Sequence, residues 1–162
     1  MLAPLLIGVS LFGLFGHKPP PGLERHRLDA WTYQVLRDRF TGRVSCSLSG
    51  RNVSYAKGAV TFHYPRNVDT SQAIYRIDDG PVLQEKDAEV ELLRMHVPLP
   101  DQSASNPSGG QVMVPASQLL GARQVSIRAR PRAGVRRFSV AGLSAALAAA
   151  RADGCDPQRT FN

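Results

Sequence analysis

The chain has few of the residues, and none of the spacings, on which most enzyme and metal sites are built. Its two cysteines, Cys46 and Cys155, lie far apart, so no Cys-x-x-Cys pair exists to lower a thiol pKa, and a dithiol redox centre is excluded. None of the four histidines pairs at His-x-His or His-x-x-x-His spacing, the arrangements that set two imidazoles on one metal ion. His26, His63 and His96 are widely separated, and alternation puts His63 on the polar face of a strand, where solvation is the default. Ser47-Leu48-Ser49-Gly50 has a superficial likeness to a Gly-x-Ser-x-Gly nucleophile elbow, but no helical pattern follows it. No cofactor or metal is therefore expected. Lysine is scarce too: only Lys18, Lys57 and Lys86 among 20 basic residues. No internal repeat is visible.

What is present begins with an apolar run from Met1 to Gly16 that carries no charged side chain and is broken by His17, Lys18 and Pro19–Pro21. As a helix it would reach about 24 Å, short of the roughly 30 Å hydrocarbon core. Residues 1–21 are expected to be an export signal or a marginal membrane anchor, although no basic residue precedes the run and no small-x-small cleavage site follows it. The alternative, a buried strand or helix, is disfavoured by Pro4 and three glycines. Residues 22–162 then form one β-rich domain, of a length that buries a real core. With 43% hydrophobic and 20% charged residues the composition is globular, and 14 glycines with 12 prolines favour short elements joined by turns.

Periodicity over the middle of the chain is that of strands. Trp31, Tyr33 and Val35 alternate with polar neighbours; Val44, Cys46 and Leu48 form the expected inward set of the next strand; Val60, Phe62 and Tyr64 do so again before Pro65. A strand over Ala73–Ile77 runs into the turn Asp78-Asp79-Gly80-Pro81. Over Glu85–His96 the pattern admits a short helix with Val90, Leu93 and Val97 along one face. Asp101–Gly110 has no apolar residue larger than Ala outside Pro107 and reads as a polar loop. A strand at Gln111–Val114 leads to a turn or short helix begun by Pro115 and running through Leu120, and Arg123–Ala129 pairs with Val135–Val140 in a hairpin whose apolar face is Val125, Ile127, Phe138 and Val140. Leu143, Ala146, Leu147 and Ala150 recur at helical spacing, with Gly154 in the C-cap position. Strands first and one helix last predict an antiparallel β-sandwich or curled sheet with one C-terminal α-helix.

The two cysteines fit this frame as a staple. Cys46 lies on the inward face of its strand and Cys155 just past the final helix; an even count in an exported domain predicts a bridge between them. The formal charge of +7 is carried largely by arginine, and Arg123, Arg128, Arg130, Arg132, Arg136 and Arg137 fall within one hairpin. Alternation sets Arg128, Arg130 and Arg137 opposite the apolar face, where planar guanidinium groups suit phosphate and carboxylate partners. The competing expectation is a solvated ion-pair face, with the acids Asp78, Asp79, Glu85, Asp87, Glu89 and Glu91 laid against these arginines. No aromatic residue interleaves the arginines before Phe138, so the stacking platform of a single-strand nucleic-acid binder is missing.

The stretch from Val114-Pro115 through Leu119-Leu120-Gly121-Ala122, Val125-Ser126-Ile127 and Phe138-Ser139-Val140 to Gly142-Leu143-Ser144-Ala145-Ala146-Leu147 resembles the end of the invasion-associated locus B family of bacterial envelope proteins. The resemblance implies a periplasmic β-sandwich-like protein without known catalysis, and it transfers no site residue. The earlier part departs from the family, which carries a cysteine shortly after its first tryptophan and more than one disulfide. The expectation is thus a non-catalytic domain, periplasmic or secreted, or else held at the inner membrane through residues 1–16. Its partners would be anionic envelope lipid or polysaccharide met by the arginine hairpin. The rival expectation is a small secreted hydrolase whose serine and histidine come together in space near Asp101–Gly110.

Overall fold

The computed structural model describes residues 22–103, 105 and 109–155. The expected export segment lies outside them, as does part of the 101–110 loop. Ten strands form two antiparallel sheets. The first contains β1 (Leu23–Leu28), β2 (Trp31–Arg37), β3 (Val44–Gly50), β4 (Val53–Ala56), β5 (Ala59–His63) and, after a long excursion, β8 (Gln111–Pro115), in the order β1-β2-β3-β4-β5-β8. The second is ordered β10-β9-β6-β7 and is built from β6 (Ile74–Ile77), β7 (Val82–Gln84), β9 (Gln124–Arg128) and β10 (Arg136–Ser139). Two α-helices, α1 (Glu85–Arg94) and α2 (Leu143–Ala152), and a short 3-10 helix at Ala116–Leu119 complete the described fold.

From β1 to β5 the first sheet is a meander, because the links between these strands are short. Lys57 and Gly58, both at positive φ, make the two-residue corner between β4 and β5, the geometry that matches strand twist and that glycine adopts without cost. Between the sheets lies one core. Trp31, Val35, Val60, Phe62, Val112 and Val114 enter it from the first sheet, and Tyr75, Val125, Ile127 and Phe138 from the second. The hairpin register pairs Phe138 with Val125 and Arg136 with Ile127, so the predicted apolar face is the observed one. Helix α2 closes one end of the sandwich with Leu143, Ala146, Leu147 and Ala150, as its spacing requires. Just beyond it Cys155 is bonded to Cys46 on β3, both buried, across a sequence separation of 109.

Two expectations need correction. Helix α1 forms where the pattern admits a short helix, but its buried stripe is Glu85, Ala88 and Leu92, whereas Val90 and Leu93 are exposed. The carboxylate inside the stripe hides its 3.6-residue period. Leu92 and Val97 pack with Ala59 and Met113 in a small second cluster, which is why β5 is buried on both faces. Val44 is exposed because it starts β3 opposite Arg37, beyond the part of the strand that the core covers. Strand β1 escapes a period-2 reading: Leu-Glu-Arg-His-Arg-Leu is an edge strand with no fully buried residue.

Candidate anion-binding face

The second sheet turns one side away from the core, and strand alternation decides what stands on it. In β9 Val125 and Ile127 point inward, leaving Gln124, Ser126 and Arg128 outside. In β10 Phe138 points inward, leaving Arg137 and Ser139 outside. The register then aligns Arg76, Ser126 and Arg137 in one row across β6, β9 and β10. With neighbouring strands roughly 4.8 Å apart, the Arg76 and Arg137 backbones are about 10 Å from one another. Arg128 stands next to that row, opposite Ile74. The three guanidinium groups border a shallow hollow of about 400 Å³ that Val82 and Val135 also line, with Asp78 and Asp79 at one rim.

The structure brings together Arg128 and Arg137 of the predicted trio and adds Arg76. Arg130 stands past the end of β9 and does not line the hollow. Its charge acts instead on Asp69, whose carboxyl is held below the usual range mainly by the hydroxyl and amide of Ser71, with Arg130 a smaller cause. Arg136 belongs to the inner side, its guanidinium lying 4.9 Å from the centre of the Tyr64 ring and 5.3 Å from that of Phe138. There it opposes the effect of burial, which pushes the Tyr64 hydroxyl up to about 12. Arg76 was legible in sequence, since alternation opposes it to the inward Tyr75, but nothing local says that β6 neighbours β9.

Of the six acids expected to face these arginines, four accept hydrogen bonds from other groups, and Asp79 stays at the rim of the hollow. The Asp78 carboxylate accepts the backbone amides of Arg123 at 3.1 Å and Gln124 at 2.9 Å. Glu91 accepts from Ser117 at 3.1 Å and Gln118 at 2.7 Å. The side-chain amide of Gln102 donates to both Glu85 and Glu89. Among the described residues, the ion pairs are those of Glu24 with Arg37 and with His26, and no hairpin arginine takes part in one.

A serine and a histidine do meet. Ser54 on β4 and His63 on β5 approach to 2.8 Å between Oγ and Nε2. His63 is half-buried, and that burial lowers its pKa, so the neutral ring is favoured. It pairs in register with Gln111, just after the 101–110 loop. No carboxylate contacts His63 among the described residues, and neither side chain lines the hollow described above. Those residues hold no group of three or more His, Cys, Asp or Glu placed to bind a metal ion. None of their helices is long and apolar enough to cross a membrane.

Comparison with protein families, curated proteins and solved structures returned no match. The arrangement of side chains therefore carries the functional argument. Three guanidinium groups from three adjacent strands, exposed and without ion-pair partners among the described residues, offer planar donor forks to an anion larger than a single carboxylate. The hydrogen-bonded ladder of β6, β9 and β10 fixes the backbones that carry them side by side, which limits the ordering a ligand must bring about.

Proposed function

We propose that this protein is a non-catalytic exported domain that binds the phosphate or carboxylate groups of an anionic envelope component on the outer face of its second sheet. Arg76, Arg128 and Arg137 are the contact residues. The observation that carries this reading is that these guanidinium groups share one hollow and form no ion pair among the described residues, while Asp78 at its rim is engaged with backbone amides. The resemblance of the Val114–Leu147 stretch to the invasion-associated locus B family supports the envelope setting, and the buried Cys46–Cys155 bridge supports an oxidising compartment.

The test is co-sedimentation with vesicles containing phosphatidylglycerol and elution from an anionic polysaccharide matrix. Replacing Arg76, Arg128 and Arg137 with Gln is expected to weaken retention and flatten its dependence on salt. Identical elution of variant and parent would overturn the proposal. The Ser54–His63 contact favours a second reading, a small hydrolase. A turnover of activated esters that Ser54→Ala abolishes would establish it.

A further inference from the structure

A different part of the molecule presents unpaired backbone. Among the described residues, strand β10 is an edge of the second sheet, paired only with β9. The amide of Val140 donates to the Arg123 carbonyl at 2.9 Å, and this sets the phase of the whole strand. In an antiparallel ladder the residues that exchange hydrogen bonds with the neighbour alternate with residues whose N–H and C=O point away from it. Val140, Phe138 and Arg136 therefore face β9. Ser139 and Arg137 direct their backbone groups outward. The next group in that outward phase, the Ala141 carbonyl, is already taken by the amide of Ala30 at 3.3 Å, so hydrogen bonding along this edge has begun and then stops.

Beside the free stretch lies a groove of about 800 Å³, bounded by β10 on one side and by the β1–β2 and β3–β4 turns on the other. Arg27, Arg51, Arg136 and Arg137 line it against a single carboxylate, Asp29, and Asn52 and Ser49 add neutral hydrogen-bonding groups. None of these arginines forms an ion pair among the described residues. An open strand edge inside a cationic groove matches one class of ligand. Its backbone must be extended, to use the outward N–H and C=O groups, and its side chains acidic, to meet the guanidinium groups.

We propose that the groove takes an extended acidic peptide segment, which adds to β10 as a fifth strand of the second sheet. The outward groups of Arg137 and Ser139 supply the main-chain hydrogen bonds, while Arg27 and Arg51 select acidic side chains. The edge is short and carries charge, devices that also keep sheet edges from pairing at random. Selection for acidic partners and protection against apolar ones thus come from the same residues. This inference does not rest on the anion hollow, to which Arg137 alone is common.

The probe is a fluorescent peptide of four Glu-Val repeats, blocked at both ends and followed by anisotropy. A second peptide carries N-methyl groups on alternate residues, which leave its charge intact and remove the amide donors along one edge. The parent protein is expected to bind the first peptide saturably and the second about tenfold more weakly, because the two main-chain hydrogen bonds it can no longer donate are only partly replaced by water. Ser139→Pro removes one outward N–H without touching the β9 ladder and is expected to weaken binding to a similar degree, whereas Ser139→Ala leaves it unchanged. Arg27→Gln with Arg51→Gln is expected to weaken binding and reduce its salt dependence. Arg76→Gln with Arg128→Gln is expected to leave it as in the parent, so failure of the hollow reading and failure of this one are separable. Equal binding of the two peptides to the parent protein overturns the proposal whatever the variants do. Absence of binding by the first peptide, or its loss in the Arg76/Arg128 variant, overturns it as well.

Discussion

The indole N–H of Trp31 donates to the carbonyl of Val140 at 3.1 Å in the interior, joining the first sheet to the end of the second. Trp31 is fully buried, and the carbonyl it satisfies sits where the β9 ladder gives out, because the Arg123 amide that would bond it turns to Asp78. Trp31→Phe is expected to leave that carbonyl unpaired in the core and to cost about 1–3 kcal/mol beyond the loss of ring volume. Denaturant unfolding measures it. A change below about 0.5 kcal/mol would show that the bond contributes nothing net.

The Cys46–Cys155 bridge closes most of the described chain into one loop. Replacing both cysteines with Ser is expected to lower stability by about 2–5 kcal/mol. In denatured protein taken from an oxidising compartment and kept free of reductant, thiol titration should detect no sulfhydryl. Two titratable thiols would contradict the bridge.

Phe62 and Phe138 face each other across the sandwich with ring centres 5.1 Å apart. Each truncation to Ala is expected to cost about 3–5 kcal/mol. The double variant should lose less than the two separate losses added together, since both open one cavity. Near-neutral single variants would place these rings outside the core.

Burial raises the Glu85 carboxyl from its ordinary 4.5 to about 8, and the charge of Glu89 adds to the shift while the Met113 amide opposes it. The folded protein thus holds this proton more firmly than the unfolded chain does. The resulting stability is full below pH 4.5 and falls as pH rises through about 8. Glu85→Gln, which still accepts from Gln102, is expected to flatten the loss of melting temperature between pH 6 and pH 9. An unchanged alkaline slope would assign that loss to another group.

Because Arg76, Arg128 and Arg137 are exposed and form no ion pair among the described residues, their joint replacement by Gln is expected to leave the melting temperature within about 2 °C of the parent. A larger drop, seen by calorimetry, would mean that the guanidinium groups hold the sheet together rather than await a ligand.

Local chemistry decided much of this protein. Val125, Ile127, Phe138 and Val140 alternate with polar residues, and because a strand's side-chain period is two, that pattern fixes one buried and one exposed face whatever lies opposite. The placement of Arg128 and Arg137 on the outer side of the sheet was legible for the same reason. So was α2, whose Leu143, Ala146, Leu147 and Ala150 carry a clean 3.6-residue repeat. The stripe of α1 was not, since its first buried residue is Glu85, which is tolerable only once Gln102 and the Met113 amide have arrived from distant segments. Nor does any local pattern say which strands become neighbours. The order β10-β9-β6-β7 brings Arg76 beside the hairpin, and two remote turns build the cationic groove along β10. Periodicity is a property of consecutive residues, set by backbone geometry. Adjacency is set by how separate apolar faces find cover, and only the packed tertiary structure supplies that.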